Sequence, residues 1–167
     1  MKIEHQDILD QIYHSTLGDI TFSRYDISTG IDNEKQLDLI IKEALQFLLL
    51  CHQSHLETLF ASFEARQQFY LITMQFQDQS LCNLVIDGSP TNNKRFKKQI
   101  ELVGTLGLYQ FDSTDERGFG SNFILPGNYH PDYEEASFDN IWLSNLLHQI
   151  RESIEKKMII RFGGNRP

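Results

Sequence analysis

The stretch FYLITMQFQDQSLCNLVIDG, Phe69 to Gly88, alternates more regularly than any other part of the chain. A strand turns successive side chains to opposite faces, so a period of two marks a half-buried strand. Tyr70, Ile72, Met74 and Phe76 fall on one face, and Phe69, Leu71, Thr73 and Gln75 on the other. The polar QDQS connection is short. Beyond it Cys82, Leu84 and Ile86 alternate against Leu81, Asn83 and Val85, until Asp87-Gly88-Ser89-Pro90 stops the run. This predicts a hairpin at the heart of an antiparallel sheet. One sheet face lies on helices and the other is only partly apolar.

The neighbouring segments supply those helices. Ile3, Ile8, Leu9 and Ile12 predict a short amphipathic helix ending near Gly18, followed by a strand at Ile20 to Tyr25 and a turn-rich connector. Asn33 is a good N-cap with Gln36 three residues on, and Leu37, Ile40, Ile41, Ala44, Leu45, Leu48 and Leu49 recur at helical spacing. ETLFASFE, Glu57 to Glu64, predicts a strand. Thr91 or Asn92 caps a predicted helix with Phe96, Ile100 and Val103 on its inner side and Gly107 as its stop. LYQF (Leu108 to Phe111) and SNFILP (Ser121 to Pro126) predict a strand pair. A last helix is capped by Ser137 and buries Phe138, Ile141, Trp142, Leu146, Ile150, Ile154 and Met158. The expected order is α-β-α-β-β-β-α-β-β-α. That is an α+β fold, an antiparallel sheet with helices mainly on one face. Residues 1–167 are expected to form one domain, with 1–32 as an extension attached to a core over 33–161.

Charge limits the partners. The 167 residues carry 15 basic and 23 acidic side chains, a net charge of -8, which repels nucleic acid and anionic lipid. The two cysteines, Cys51 and Cys82, give no disulfide framework, so a reducing compartment is expected. The N-terminus has no signal-peptide pattern, and LQFLLLC is too short to span a bilayer. A cytoplasmic location follows as the expectation.

The order of elements, together with LVGTLGLYQF, SNFILP and SFDNIWLSNLLHQI, resembles the type III secretion chaperone fold over Asn33 to Arg161. In that family a helix often ends in a Leu-Gly step leading into a strand pair and a long closing helix, and Thr105 to Leu108 stands at the matching place. The resemblance implies a chaperone-like bacterial protein that holds a partner polypeptide without catalysing a reaction.

Chemical signatures are sparse. In CHQSH, His52 and His55 share a helical face, but Glu57 and distant Cys82 would have to complete a metal site. Both histidines are therefore expected at an exposed helix end, with no metal bound. No Gly-x-Ser-x-Gly elbow and no phosphate-binding Gly-Lys-Ser/Thr occurs. Ser121 in GFGSN reads as part of a turn. The basic run NKRFKKQ places Lys94, Arg95, Lys97 and Lys98 around Phe96 and reads as a solvated helix face.

The expected function is a non-enzymatic protein-binding module, with no catalytic residue, cofactor or metal, and with a homodimer as one expected assembly. Outward residues of the hairpin, Leu71, Thr73 and Asn83, are its candidate contacts. The alternative is an immunity protein that neutralises a basic toxin through acidic loops, with Asp112, Asp115, Glu116, Asp132, Glu134 and Glu135 carrying the contact.

Overall fold

The structure, a computed structural model, describes residues 3–14, 16–30, 33–89, 96–114 and 141–163. The elements are α1 (Ile3–Tyr13), β1 (Ile20–Ser28), α2 (Glu34–His52), β2 (Leu56–Glu64), β3 (Phe69–Phe76), β4 (Leu81–Asp87), β5 (Lys97–Gly104), β6 (Leu108–Asp112), α3 (Ile141–Lys156) and β7 (Ile160–Arg161). The strands make one seven-stranded sheet in the order β6-β5-β1-β4-β3-β2-β7.

The central hairpin forms as its alternation predicts. β3 and β4 pair antiparallel, with Ile72 opposite Leu84 and Met74 opposite Cys82. Ile72, Met74, Phe76, Cys82, Leu84 and Ile86 are completely buried, while Tyr70 is half-buried. Register carries this inner face across the sheet. Phe111, Ile100, Tyr25, Leu84, Ile72 and Ala61 stand side by side in one buried row. The helices cover that face. Leu37, Ile41, Leu45 and Leu48 of α2 and Leu143, Leu146 and Ile150 of α3 pack into the same core. Asn33 caps α2 as expected, its side chain accepting from the amides of Lys35 and Gln36 at 3.0 and 3.3 Å.

The mixed α+β class holds, with three differences in detail. The sheet is not purely antiparallel, because β1 runs parallel to β4, reached through the α2 crossover. Parallel neighbours require such a connection. Residues 1–32 are no attachment: β1 lies between β5 and β4 and anchors the middle of the sheet. Lys97–Gly104 is a strand where a helix is expected. The helical reading joins Phe96, Ile100 and Val103, but the buried set is Lys98, Ile100 and Leu102, a period of two disguised by an inward lysine. The expected strand at 121–126 and the start of the last helix at Ser137 lie outside the described residues. No helix among the described residues is long and apolar enough to cross a membrane.

Candidate functional site

β1 sends Ser23 and Tyr25 toward the helices at successive inward positions, and each meets a histidine. Hydroxyls at inward sites of a central strand need partners, because an unsatisfied buried polar group costs about 1–3 kcal/mol. His52, the last residue of α2, supplies the first partner and His5 of α1 the second.

Around His52 the direction of every hydrogen bond follows from donor counting. Ser80 Oγ lies 2.6 Å from Asp78 Oδ1, and a carboxylate only accepts, so Ser80 gives its single proton there. Ser80 Oγ is then the acceptor of its 2.8 Å bond to His52 Nδ1. With Nδ1 protonated, Nε2 accepts from the Ser23 hydroxyl at 2.7 Å. The result is a directed chain from Ser23 through His52 and Ser80 to Asp78. Phe76 stacks on the imidazole at 4.1 Å. Burial lowers the His52 pKa to about 4, against a smaller opposing pull from Asp78, so the ring is neutral at neutral pH. Cys82, beside Ser23 on β4, is pushed up to about 12 by burial, which the Ser23 hydroxyl partly offsets, and it remains a thiol.

The second cluster is sealed. Lys98 Nζ lies 2.7 Å from His5 Nε2, and the Tyr25 hydroxyl lies 3.0 Å from the same nitrogen. Lys98 Nζ and the Tyr25 hydroxyl thus meet at Nε2, while Nδ1 faces Glu43 at 3.9 Å. The ammonium also sits 5.3 Å from the centre of the Tyr25 ring, and His5 stacks on Phe47 at 4.2 Å. His5, Lys98 and Tyr25 are at most 2% exposed and lie sealed beneath β1.

The first cluster reaches the surface. Asp78 is exposed, and His52 and Ser80 form part of the wall of a cavity of about 790 Å³. The cavity lies where α1 ends, β1 begins and the β3–β4 turn folds over, with Tyr13, Asp19, Gln53 and Thr105 among its other walls. That volume is in the range of small-molecule sites.

The expected contact residues are scattered by comparison. Leu71, Thr73 and Asn83 lie on the sheet face opposite the helices, where Thr73 Oγ1 donates to Asn83 Oδ1 at 3.0 Å. Asp112 ends β6 and is already engaged by Gln99 at 2.6 Å, by Thr114 and by Lys97 at 3.6 Å. Burial pushes its pKa up, but these donors outweigh it and hold the carboxyl below its usual value. Asp115, Glu116, Asp132, Glu134 and Glu135 lie outside the described residues. His55 is exposed as expected, whereas His52 is 4% exposed, because the α2 terminus tucks its last side chain under β1. Lys98 likewise is buried rather than solvated. No group of three or more potential metal ligands occurs among the described residues. Ser23, Tyr25 and Ser80 carry no sequence signal as partners of histidine, beyond the alternation of β1 that turns Ser23, Tyr25 and Ile27 inward.

No family model matches the sequence, and no curated protein matches it. The fold, in contrast, is shared with solved dehydrogenases. A myo-inositol dehydrogenase from Corynebacterium glutamicum superposes with a TM-score of 0.71 at 11% identity, over 98% of this chain and 62% of that one. A scyllo-inositol dehydrogenase from Lactobacillus casei gives 0.64 at 14% identity, over 96% of this chain and 60% of that one. The WlbA dehydrogenase from Bordetella pertussis, solved with NADH and UDP-GlcNAcA, gives 0.63 at 13% identity, over 98% and 62%. This chain thus spans about 60% of the length of its structural neighbours. These findings correct the chaperone resemblance: the solved structures that share the fold are oxidoreductases and dehydrogenases, not type III secretion chaperones. A shared order of short elements misled, because it does not fix strand order, and the strand order here places β1 inside the sheet, between β5 and β4. The expectation of a non-enzymatic chaperone-like module falls with it, as does the immunity-protein alternative.

Proposed function

We propose that this chain is the α+β part of a dehydrogenase-type oxidoreductase. In this reading it frames the substrate side of the reaction, and NAD is carried by a separate unit, on this polypeptide or another. The observation that supports the reading is the pairing of near-complete coverage of this chain with about 60% coverage of the dehydrogenases it matches. Dinucleotide sites in such enzymes use a parallel sheet with helices on both faces and a glycine-rich turn entering a helix. The described residues do not fit NAD. Their sheet has one parallel pair, β1 with β4, and no strand is followed by a Gly-x-Gly-x-x-Gly turn. The cavity wall includes no lysine or arginine to meet a pyrophosphate. A fully covered unit would also leave no place for a second one to dock. Here the face opposite the helices leaves Phe60, Leu81 and Leu108 exposed at 37%, 44% and 56%.

The test has two arms. NADH fluorescence titrated with the purified chain is expected to stay unchanged, and micromolar binding by the chain alone would overturn the division of labour. Complexes isolated from the native cell through this chain are expected to oxidise NADH with a carbonyl substrate. Complexes inert toward a panel of polyhydroxylated ketones would remove the oxidoreductase reading itself.

A further inference from the structure

The sheet has two faces, and the described helices all pack on one of them. On the other, Leu108, Val103, Phe22 and Leu81 stand side by side across β6, β5, β1 and β4, register neighbours in a single row. Leu71, opposite Val85, and Phe60 on β2 extend the apolar surface toward the far edge. Alternation ordinarily gives the solvated face of a sheet polar residues, so a continuous apolar row there marks a surface that is covered in use. Leu81 belongs to β4, the middle of the seven strands, and is 44% exposed. The open area therefore lies at the centre of the face and not only at its rim.

The polar side chains of the same face bond sideways to one another. Arg24 pairs with Asp26 at 2.9 Å, Gln110 donates to Glu101 at 3.1 Å, Gln99 donates to Asp112 at 2.6 Å, and Thr73 donates to Asn83 at 3.0 Å. Covering a polar group is costly unless it keeps a hydrogen-bond partner. Here those partners come from within the face, so a second surface can close over it without supplying them. Opposite charges are neighbours, and the face offers no block of one sign to steer an acidic or a basic partner. The surface that suits it has an apolar row flanked by neutralised pairs, and this chain carries one.

The size of the face fits the same occupant. The five strands β5, β1, β4, β3 and β2 have 8, 9, 7, 8 and 9 residues. With about 3.3 Å per residue and about 4.8 Å between strands, they span roughly 27 by 24 Å, on the order of 650 Å². A stable interface takes about 600–1,000 Å² from each partner. Two sheets pack face to face about 10 Å apart, with their strands within about 30° of each other. A two-fold axis running along the row sets Phe22 and Leu81 of one copy against the same residues of the other, the isologous contact of a symmetric dimer.

We propose that this chain forms a symmetric dimer through the open face of its sheet, centred on the row Leu108, Val103, Phe22 and Leu81. The inference does not depend on the dehydrogenase reading. A second copy in this place leaves the helical side and the cavity beside His52 to a cofactor-carrying unit.

Sedimentation velocity of the purified chain, at concentrations up to about 100 μM, tests the proposal. A dimer is expected to dominate at the upper end. Leu81→Asp sets two carboxylates against each other beside the axis, and it is expected to weaken the dimer at least tenfold with an unchanged far-UV circular dichroism spectrum. Leu108→Asp repeats the test at an exposed position of β6, where the fold depends less on the side chain. Ile141→Asp, exposed on α3, is expected to dimerise like the parent. A chain that stays monomeric throughout the range would overturn the proposal and leave the face to a different unit. A dimer that survives both strand variants unweakened, or that Ile141→Asp weakens as much, would put the contact on another surface and overturn it equally. None of these outcomes involves NADH, so they are separate from the fate of the dehydrogenase reading.

Discussion

His52 donates its Nδ1 proton to Ser80 across 2.8 Å, because Ser80 has committed its own proton to Asp78. This one relationship fixes the tautomer of a buried histidine and makes Ser23 the donor to Nε2. It also links the central strand to the surface, since Ser23 belongs to β1 and Asp78 to the exposed β3–β4 turn. That link depends on strand order: β1, early in the chain, lies inside the sheet between β5 and β4.

The same relationship sets a pH dependence. In the fold the His52 pKa is lowered to about 4 from the ordinary 6.5, chiefly by burial. Between those values the unfolded chain binds a proton that the native chain refuses. Stability is therefore complete above about pH 6.5 and falls as the pH drops toward 4, by about 3 kcal/mol for a shift of this size. Urea unfolding at pH 7, 6 and 5 measures it. His52→Asn is expected to be less stable at pH 7 but to lose little more on acidification over that range. Parallel losses in the two proteins would show that another group carries the acid sensitivity.

A second expected outcome concerns Gly104, at the end of β5. A Cβ there would run into the carbonyl oxygen of Leu17, which is backbone and cannot rotate away. Leu17 is pinned in turn, since its carbonyl accepts the Leu106 amide at 2.9 Å. Gly104→Ala is expected to cost about 1–3 kcal/mol, the usual range for overpacking. Gly163, with open space around it, serves as the control, and its alanine variant is expected to leave the thermal midpoint unchanged. Equal midpoints for the two variants would disprove the close approach.

The contrast between legible and hidden parts follows from which signals are local. The β3–β4 hairpin was legible because each inward position, from Ile72 to Ile86, is apolar and the face is buried without exception. The α2 cap was legible because Asn33 acts on amides two and three residues away. β5 was hidden because Lys98 occupies an inward position, where it meets His5 and Tyr25, 93 and 73 residues distant in sequence. His52 was hidden for the same reason. Its partners Ser23 and Ser80 are 29 and 28 residues away, one on each side, and nothing in CHQSH announces them. Strand order is likewise set by long-range packing, which is why a resemblance in element order pointed to the wrong family.

The last expected outcome tests how the sheet ends beside α3. β7 is only two residues long and pairs with Thr58 and Leu59 of β2, so among the described residues the β2 edge beyond Leu59 has no strand partner on that side. An open edge with a buried amide is costly. The Ser153 hydroxyl of α3 fills the gap: it accepts the Ala61 amide at 2.9 Å and donates to the Met158 carbonyl at 2.7 Å. Ser153 is fully buried and Ala61 is 1% exposed, so water does not substitute for it. Ser153→Ala removes both bonds, leaves the amide and the carbonyl without this partner, and is expected to cost about 1–3 kcal/mol. The effect should be local as well as global, because the Ala61 amide loses its acceptor. Hydrogen exchange at Ala61 is expected to speed up more than exchange at Ile72, its neighbour in the sheet interior. An Ala61 amide that stays as protected as before would show that the edge is held by something other than this hydroxyl.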